Sequence, residues 1–238
     1  HTCSLSHDDI IDDDALRRGE ESVHVAYDEP TGILTGDLLY SRAFEALSDC
    51  DAPDATLSRC CSLLARTCST VCEGQILDTE FEERTDVTES EYLAMVERKT
   101  GHLLGTSLQI GALVGGADRD LATGLREFGT RVGTAFQIRD DVLDVTRSSA
   151  ARGKTGGSDV AAGKETLITV HAREQGVDLD GPVEEVRQRL RDSESVAYAR
   201  ERAADLVADA TRQLPSLPDA DTEDTLRDLA AFFVEREY

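Results

Sequence analysis

The stretch HDDIIDDDALRRG, residues 7–19, decides how the rest of this 238-residue chain is interpreted. Asp8 and Asp12 are four residues apart, so on a helix their carboxylates lie side by side on one face. Carboxylate oxygens that converge in this way suit Mg²⁺, which binds a few carboxylates together with waters and substrate phosphates. Arg17 and Arg18 follow, and planar guanidinium groups bind phosphate oxygens well. The stretch predicts a site for a polyphosphate ester.

A second acidic motif, DDVLD, occupies residues 140–144. Aspartate makes up 27 of the 238 residues, so a single DDxxD pattern is weak evidence, because a run of acidic residues is most often a solvated face. Two copies are harder to attribute to composition. We interpret them as two halves of one site, and we interpret Asp13 and Asp14 as solvated charge rather than ligands.

The overall charge excludes one class of partner and points to a saline environment. The formal net charge is −23, from 48 acidic and 25 basic residues, whereas nucleic-acid binding calls for a basic surface. Hydrophobic residues still make up 39% of the chain, enough for a folded core. An acidic surface with 22 arginines and three lysines is typical of extreme halophiles, where high net charge keeps proteins soluble. The composition therefore predicts that the fold needs high salt.

The three lysines stand in stretches of special composition. Lys99, Lys154 and Lys164 each lie next to glycine or threonine. In a chain that otherwise uses arginine, a retained lysine indicates a role that arginine does not serve, such as a compact ammonium group at a phosphate. Loss of lysine by drift, with these three left over, is the alternative interpretation.

The cysteines and the hydropathy pattern bear on the compartment. None of the six cysteines forms a C-x-x-C pair, which disfavours zinc and c-type haem. Those that fall among apolar residues indicate buried thiols in a reducing cytosol, so we expect a cytoplasmic protein. No stretch approaches 18 apolar residues, and no signal peptide is evident. The chain starts at His1 inside a helical pattern, so we expect it to be the C-terminal part of a longer protein.

The apolar residues recur with helical period along the whole chain, and no segment alternates convincingly as a strand. Residues 148–163 are rich in glycine and serine and indicate an active-site loop. The predicted fold is an all-α, single-domain bundle of antiparallel helices around a central cavity, spanning residues 1–238. The predicted helices cover residues 1–15, 32–48, 55–77, 88–114, 118–146, 165–176, 182–192, 193–213 and 221–236.

Taken in order, these elements resemble the trans-isoprenyl diphosphate synthases (polyprenyl synthetases). The resemblance covers essentially the whole chain, and it implies the isoprenoid synthase fold and a homodimer. The matching elements are residues 7–19 with Val23-His24, Gly74-Gln75 with Asp78, Lys99-Thr100, FQIRDDVLD at 136–144, GKTGGSD at 153–159 and GKETL at 163–167.

The resemblance implies a Mg²⁺-dependent prenyltransferase. Such enzymes ionise an allylic diphosphate, and the double bond of isopentenyl diphosphate attacks the resulting cation. The departing diphosphate develops negative charge, which Mg²⁺ ions neutralise as Lewis acids. About three ions are expected between the two aspartate motifs.

The same resemblance assigns roles to individual residues. The expected metal ligands are Asp8, Asp12 and Asp140, with Asp9, Asp141 and Asp144 as partial or supporting members. The residues expected to bind the allylic diphosphate are Arg17, Lys99, Thr100, Gln137, Lys154 and Lys164, and Arg18 is expected to bind isopentenyl diphosphate. Of these, Asp8, Asp12, Arg17, Lys99, Asp140 and Lys154 are the expected catalytic set.

Several residues keep a second interpretation. His7 is expected to be a hydrogen-bonded core histidine rather than a base. Gln75 either belongs to the site or only satisfies a helix contact. Lys164 binds phosphate or caps the loop, and Gln137 binds diphosphate or merely orients Asp141.

The chain departs from the family pattern in three places. The Gly-Lys-x-x-Arg-Pro element that supplies much of the isopentenyl diphosphate site is absent, so we expect a missing N-terminal segment. Thr166-Leu167-Ile168 stands where Thr-Leu-Pro is usual, and Gly101 stands where alanine is more usual after Lys-Thr.

Product length is expected to depend on Cys3 and Ser4. They precede Asp8 by five and four residues, about one helical turn deeper along the growing tail. Both are small, whereas enzymes of this family that stop at fifteen carbons tend to carry aromatic residues there. We therefore predict a product of at least twenty carbons, geranylgeranyl or farnesylgeranyl diphosphate.

Two other functions compete with the synthase. A class I terpene cyclase shares metal-assisted ionisation, but its second motif usually contains Asn, Ser or Thr and Glu; a head-to-head synthase is disfavoured by the Gly-Lys loop. A non-catalytic regulatory subunit would tend to have lost one aspartate motif, and both are intact here.

Overall fold

The structure is a computed structural model that describes residues 1–147 and 157–235. Lys154 and most of the predicted glycine-rich loop lie outside the described residues. Within the described part the chain is almost entirely helical, as predicted. The elements are α1 Thr2–Ile11, β1 Leu16–Arg17, β2 Glu20–Glu21, α2 Val23–Ala26, α3 Glu29–Ser48, α4 Asp54–Phe81, α5 Glu89–Val96, a π-helical turn Glu97–Gly101, α6 His102–Val114, α7 Arg119–Thr146, α8 Ser158–Ala162, α9 Leu167–Glu174, α10 Val183–Asp192, α11 Ser195–Arg212 and α12 Ala220–Glu235.

The predicted first helix, residues 1–15, is too long. Helix α1 ends at Ile11, and Asp13 then adopts a positive φ of 51°. A small antiparallel hairpin follows, in which β1 pairs with β2 around Arg18 and Gly19. Strands of two residues are too short to show alternation, so the prediction that no strand exists was wrong here. The other predicted helices agree in their boundaries to within a few residues, although a π-helical turn interrupts the predicted helix 88–114. Helices α2 and α8 were not predicted, and α8 lies in the stretch predicted to be a loop.

Helix α7 runs through the centre of the bundle and carries the second aspartate motif. It packs against α6 and α11 and is the helix with the most buried residues. Ile138 and Val142 are completely buried, and burying an aliphatic side chain contributes about 1.5–3 kcal/mol. The hydrophobic core therefore holds the motif-bearing end of α7 in place.

Glycines let α7 approach the π-helical turn and α6 at very short distance. A β-carbon at Gly105 would lie 2.5 Å from the Arg126 carbonyl oxygen, and one at Gly129 would lie 2.8 Å from the Gly105 Cα. A β-carbon at Gly101 would lie 2.8 Å from both the Thr130 carbonyl and Thr134 Oγ1. Since real side chains avoid such distances, this spacing requires glycine at 101, where the resembled family more usually has alanine.

Helix α1 packs on α3 through glycines as well. Ser6 Oγ donates to the Gly32 carbonyl at 3.0 Å, and His7 Nε2 lies 3.0 Å from the Ile33 carbonyl. A β-carbon at Gly36 would lie 2.5 Å from His7 Cδ2. His7 is hydrogen-bonded, as expected, but its side chain is 38% exposed, so it packs between α1 and α3 and is not a core histidine.

Candidate active site

The first aspartate motif is tied to its arginine. Arg17 Nε donates to Asp9 Oδ1 at 2.6 Å, and Arg17 Nη2 donates to Asp14 Oδ2 at 3.1 Å and lies 3.8 Å from Asp8 Oδ2. Asp9 is only 4% exposed, so its carboxylate supports Arg17 from inside the bundle. Asp13 is fully exposed, as predicted, but Asp14 is an ion-pair partner of Arg17 and not only solvated charge.

Lys99 reaches the first motif from the π-helical turn. π-Helical turns are rare in proteins, and those that occur are frequently found at functional sites. Lys99 Nζ lies 2.6 Å from Asp78 Oδ2 on α4 and 3.4 Å from Asp8 Oδ1 on α1. Burial lowers the pKa of Lys99, but the charges of Asp78 and Asp8 outweigh it and leave the pKa above its usual value. The ammonium group therefore stays charged between two carboxylates.

Lys164 reaches the same carboxylates from the other end of the chain. Its Nζ lies 2.5 Å from Asp12 Oδ2 and 3.9 Å from Asp78 Oδ2. Burial opposes the charge of Lys164, yet Asp78 and Asp12 raise its pKa above the usual range. Of the two interpretations of Lys164, its position among the site carboxylates favours the site over a loop cap.

Asp141 in the second motif has both oxygens engaged in hydrogen bonds. Tyr92 Oη donates to Asp141 Oδ2 at 2.5 Å, and Gln137 Nε2 donates to Asp141 Oδ1 at 3.0 Å. Burial raises the pKa of Asp141 to about 7 despite these two donors. Asp140, the preceding residue, is half-buried.

Asp144 holds the start of α8. It accepts backbone N–H bonds from Gly157 at 3.1 Å, Ser158 at 3.2 Å and Asp159 at 3.1 Å, and Ser158 Oγ donates at 2.9 Å. Burial, followed by the charges of Asp141 and Asp144, raises the pKa of Asp159 well above its usual value. Asp144 is thus positioned as an anchor, in keeping with a supporting rather than a leading part.

Three residues of the site were absent from the predicted set. Asp78 accepts a hydrogen bond from Lys99 and lies near Lys164, Asp159 is half-buried near Asp141 and Asp144, and Tyr92 donates to Asp141. Asp78 and Asp159 stand in stretches that resemble the family, so the sequence carried a signal for both. For Tyr92 the sequence shows only a position on the apolar face of a predicted helix, which indicates a core residue.

The residues present fit a divalent cation. Asp8, Asp12 and Asp78 surround only two ammonium groups, so one negative charge among these five side chains is left unbalanced. Burial raises the pKa of Asp8, and a buried carboxylate is stabilised by a neighbouring cation. Hard oxygen donors of this kind suit Mg²⁺. Among residues 1–147 and 157–235, no group of three or more His, Cys, Asp or Glu side chains is already arranged to hold an ion.

Comparison with known proteins identifies the family. The polyprenyl synthetase family model matches residues 1–203. The chain is 46% identical to geranylfarnesyl diphosphate synthase of Natronomonas pharaonis, over 99% of this chain and 72% of that protein. The chain belongs to the polyprenyl synthetase family. Another relative in the family is geranylgeranyl diphosphate synthase of Methanosarcina mazei, 42% identical over 100% of this chain and 76% of that protein.

Solved structures of polyprenyl synthetases share the fold. Geranylgeranyl pyrophosphate synthetase from Geoglobus acetivorans superposes with a TM-score of 0.89 at 41% identity, covering 99% of this chain and 77% of that one. Polyprenyl synthase from Caulobacter crescentus, complexed with calcium and isoprenyl diphosphate, gives 0.91 at 28% identity, covering 100% and 76%. The predicted isoprenoid synthase fold and the predicted enzyme class, a prenyltransferase, are confirmed.

Membership of the family indicates a metal requirement and a class of substrate. The polyprenyl synthetase family generally depends on divalent metal and uses isoprenyl diphosphate substrates. In the described ranges, no helix is both long enough and apolar enough for a membrane crossing.

Proposed function

We propose that this polyprenyl synthetase condenses isopentenyl diphosphate with an allylic diphosphate, in a Mg²⁺-dependent reaction, to give a trans-prenyl diphosphate of C20 or longer. The observation that carries the proposal is the meeting of Lys99 and Lys164 with Asp8, Asp12 and Asp78. Carboxylates for metal ions and ammonium groups for phosphate then face the same space. That combination suits a diphosphate leaving group.

The reaction breaks one C–O bond and forms one C–C bond. The electron pair of the allylic C–O bond leaves with diphosphate, and the double bond of isopentenyl diphosphate supplies the pair for the new bond. Loss of a proton from the resulting cation restores a double bond. When bound, Mg²⁺ neutralises the charge that develops on the leaving oxygens. We propose Asp8, Asp12 and Asp140 as its ligands, supported by Asp9, Asp141 and Asp144, with about three ions per site.

Lys99 and Lys164 are proposed to pair with carboxylates in the absence of substrate and with phosphate oxygens when substrate is bound. Without substrate, the ammonium groups of Lys99 and Lys164 form ion pairs with Asp8, Asp78 and Asp12. If Asp8 and Asp12 held Mg²⁺, the ammonium groups of Lys99 and Lys164 would be available to phosphate oxygens. This exchange places positive charge where the leaving group needs it. Arg17, Thr100, Gln137 and Lys154 complete the proposed diphosphate site, and Arg18 is assigned to isopentenyl diphosphate.

The proposed product length depends on the wall near α1. Cys3 and Ser4 are half-buried and small, so they leave room for a long tail. The named products of two relatives, geranylgeranyl and geranylfarnesyl diphosphate, agree with a product of C20 or longer.

We propose a homodimer in the cytoplasm. Leu34 and Leu38 on α3 are 65% and 59% exposed, and Ile33 beside them is 41% exposed. An apolar stripe of this kind is typical of a protein interface. The six cysteines are free thiols, which suits a reducing compartment. Leu34→Asp with Leu38→Asp is expected to give monomers in light scattering at high salt; an unchanged mass would contradict this interface.

The test of the proposed reaction uses the purified protein with Mg²⁺, high salt, isopentenyl diphosphate and each of the C5, C10 and C15 allylic primers. Chromatography of the products is expected to show elongated prenyl diphosphates of C20 or longer. Asp12→Ala is expected to abolish them, while the exposed Asp13→Ala, one residue away, is expected to retain activity. Cyclic hydrocarbons would indicate a terpene cyclase instead. Turnover only after a partner is added would indicate a regulatory subunit.

A further inference from the structure

Tyr92 lies at the base of the second aspartate motif. It sits on α5 with 1% of its surface exposed, and its hydroxyl donates to Asp141 Oδ2 at 2.5 Å. Burial, together with the charge of Asp141, raises the pKa of Tyr92 well above its usual value, so the phenol remains a donor. A hydrogen bond from a buried hydroxyl to a carboxylate is short and strong. Tyr92 therefore fixes the rotation of the Asp141 carboxylate.

The hydrogen bonds continue from Asp141 to the Lys-Thr pair. Gln137 Nε2 donates to Asp141 Oδ1 at 3.0 Å, and Thr100 Oγ1 donates to Gln137 Oε1 at 2.9 Å. A glutamine amide has one acceptor oxygen and two N–H donors. With its oxygen directed at Thr100 and one N–H at Asp141, Gln137 keeps one N–H for a further acceptor. The chain of bonds therefore orients the Gln137 amide.

This chain of bonds joins the two elements that carry the proposed site. Thr100 follows Lys99 on the π-helical turn, and Asp141 follows Asp140 on α7. A change in the rotation of Asp141 would alter the orientation of the Gln137 amide, and Asp140 is the adjoining residue of α7. Both oxygens of Asp141 accept hydrogen bonds, which fixes the orientation of the carboxylate and suits a supporting part beside Asp140.

We propose that Tyr92 is a positioning residue of the active site. Through Asp141 it orients the Gln137 amide toward the diphosphate and holds Asp140 in place for the metal. This inference rests on the proposed synthase function, and it adds a residue of α5 that touches neither substrate nor metal. Buried partners of this kind typically change metal affinity or activity by about 10–100-fold when removed.

The test compares two tyrosines that each bind a carboxylate at the same distance. Tyr92→Phe removes the bond to Asp141, and Tyr198→Phe removes the 2.5 Å bond from Tyr198 Oη to Glu89 Oε2, also on α5. Both variants are expected to lower the thermal midpoint. Tyr92→Phe alone is expected to raise the KM for the allylic diphosphate and the half-saturating Mg²⁺ concentration, each by about 10-fold.

A double-mutant cycle of Tyr92 with Gln137 and a binding measurement distinguish a positioning role from a purely structural one. Tyr92→Phe with Gln137→Ala is expected to be no worse in KM than Gln137→Ala alone, because Tyr92 acts through Gln137. Calorimetric binding of Mg²⁺ with inorganic diphosphate is expected to weaken in Tyr92→Phe and not in Tyr198→Phe. This readout stays interpretable if the wild type shows no synthase activity, which would refute the proposed function instead.

If Tyr92→Phe does not fold, Thr100→Val tests the other end of the same chain of bonds. This nearly isosteric variant is expected to raise the KM for the allylic diphosphate and to weaken binding of Mg²⁺ with diphosphate. The inference is overturned if Tyr92→Phe matches Tyr198→Phe in KM, in Mg²⁺ dependence and in calorimetry. Additive effects of Tyr92→Phe and Gln137→Ala would overturn it as well.

Discussion

Gly74 lies directly against the backbone of Lys99, so that a β-carbon at Gly74 would lie 2.7 Å from the Lys99 Cα. One helical turn later on α4, Asp78 accepts the Lys99 ammonium group at 2.6 Å. Helix α4 therefore fixes Lys99 twice, once through its backbone and once through its side chain. This explains why a Gly-Gln-x-x-Asp element accompanies a Lys-Thr pair.

Replacing Gly74 with alanine is expected to separate α4 from the π-helical turn. Overpacking of this kind costs about 1–3 kcal/mol of stability, and we expect the loss of kcat/KM to exceed what that instability explains, because Lys99 moves. Gly111→Ala on α6 is the matched control, since nothing lies within 4 Å of a β-carbon there. The control is expected to gain about 0.5–1 kcal/mol. Urea unfolding and initial rates measure both; a fully active Gly74→Ala would contradict the close contact.

Replacing Arg18 with asparagine is expected to stabilise the hairpin and to impair the enzyme. Arg18 and Gly19 have φ values of 56° and 86°, the backbone of a type I′ turn, for which Asn-Gly is strongly preferred. An arginine there is retained at a conformational cost, which indicates a functional role. Arg18→Asn is expected to raise the thermal midpoint and the KM for isopentenyl diphosphate, with the allylic KM unchanged. An unaltered KM for isopentenyl diphosphate would refute the assignment.

Replacing Cys3 with phenylalanine is expected to shorten the product. Cys3 is half-buried on α1, five residues before Asp8, and an aromatic ring there would fill the space proposed for the growing tail. Cys3→Ser, which keeps the side chain small, is the control and is expected to leave product length unchanged. Product sizes by chromatography decide the matter. The same product from Cys3→Phe and from the wild type would contradict the proposal that Cys3 lines the space for the growing tail.

Stability is expected to decrease as the pH is lowered, because Glu91 in the N-terminal cap of α5 becomes protonated. Backbone and side-chain hydrogen bonds from Thr88 and Arg84 lower the pKa of Glu91 to about 2 from its usual 4.5. The folded state thus favours the ionised form, so this contribution is complete above about pH 4.5 and is lost as the pH falls toward 2. Between pH 7 and pH 3 at constant salt, the urea midpoints of wild type and Glu91→Gln are expected to converge. For the exposed Glu73→Gln we expect no such convergence, and a constant gap for Glu91→Gln would contradict the assignment.

High salt is expected to stabilise the fold. The net charge of −23 produces self-repulsion, which added ions screen. The thermal midpoint is expected to rise between 0.1 M and 3 M KCl. A variant with three exposed acids changed to amides, Asp51→Asn, Glu73→Gln and Glu201→Gln, is expected to respond less steeply. Full stability of the wild type in dilute buffer would contradict the prediction.

The sequence predicted the helical bundle and the shared helix face of Asp8 and Asp12, because both depend on residues that are close together in the chain. Apolar residues three and four apart mark one face of a helix, and Asp8 and Asp12 share a face for the same reason. The hairpin at residues 16–21 and the π-helical turn at 97–101 were not foreseen. Two-residue strands have no alternation to detect, and one extra residue in a helical turn leaves the apolar period almost unchanged.

The sequence by itself determined the class of this protein, most of its helices and the residues that we propose to bind metal and diphosphate. Only the tertiary structure decided how they are paired: Lys164 with Asp12, Lys99 with Asp78, and Tyr92 with Asp141. These pairs join residues from 21 to 152 positions apart in the chain. Their strength depends on distance and burial, since charges interact strongly only at short range away from water. A linear pattern contains neither quantity. Tyr92 shows the difference most clearly, because its helical period marks a core residue and only its hydroxyl's contact with Asp141 places it in the site.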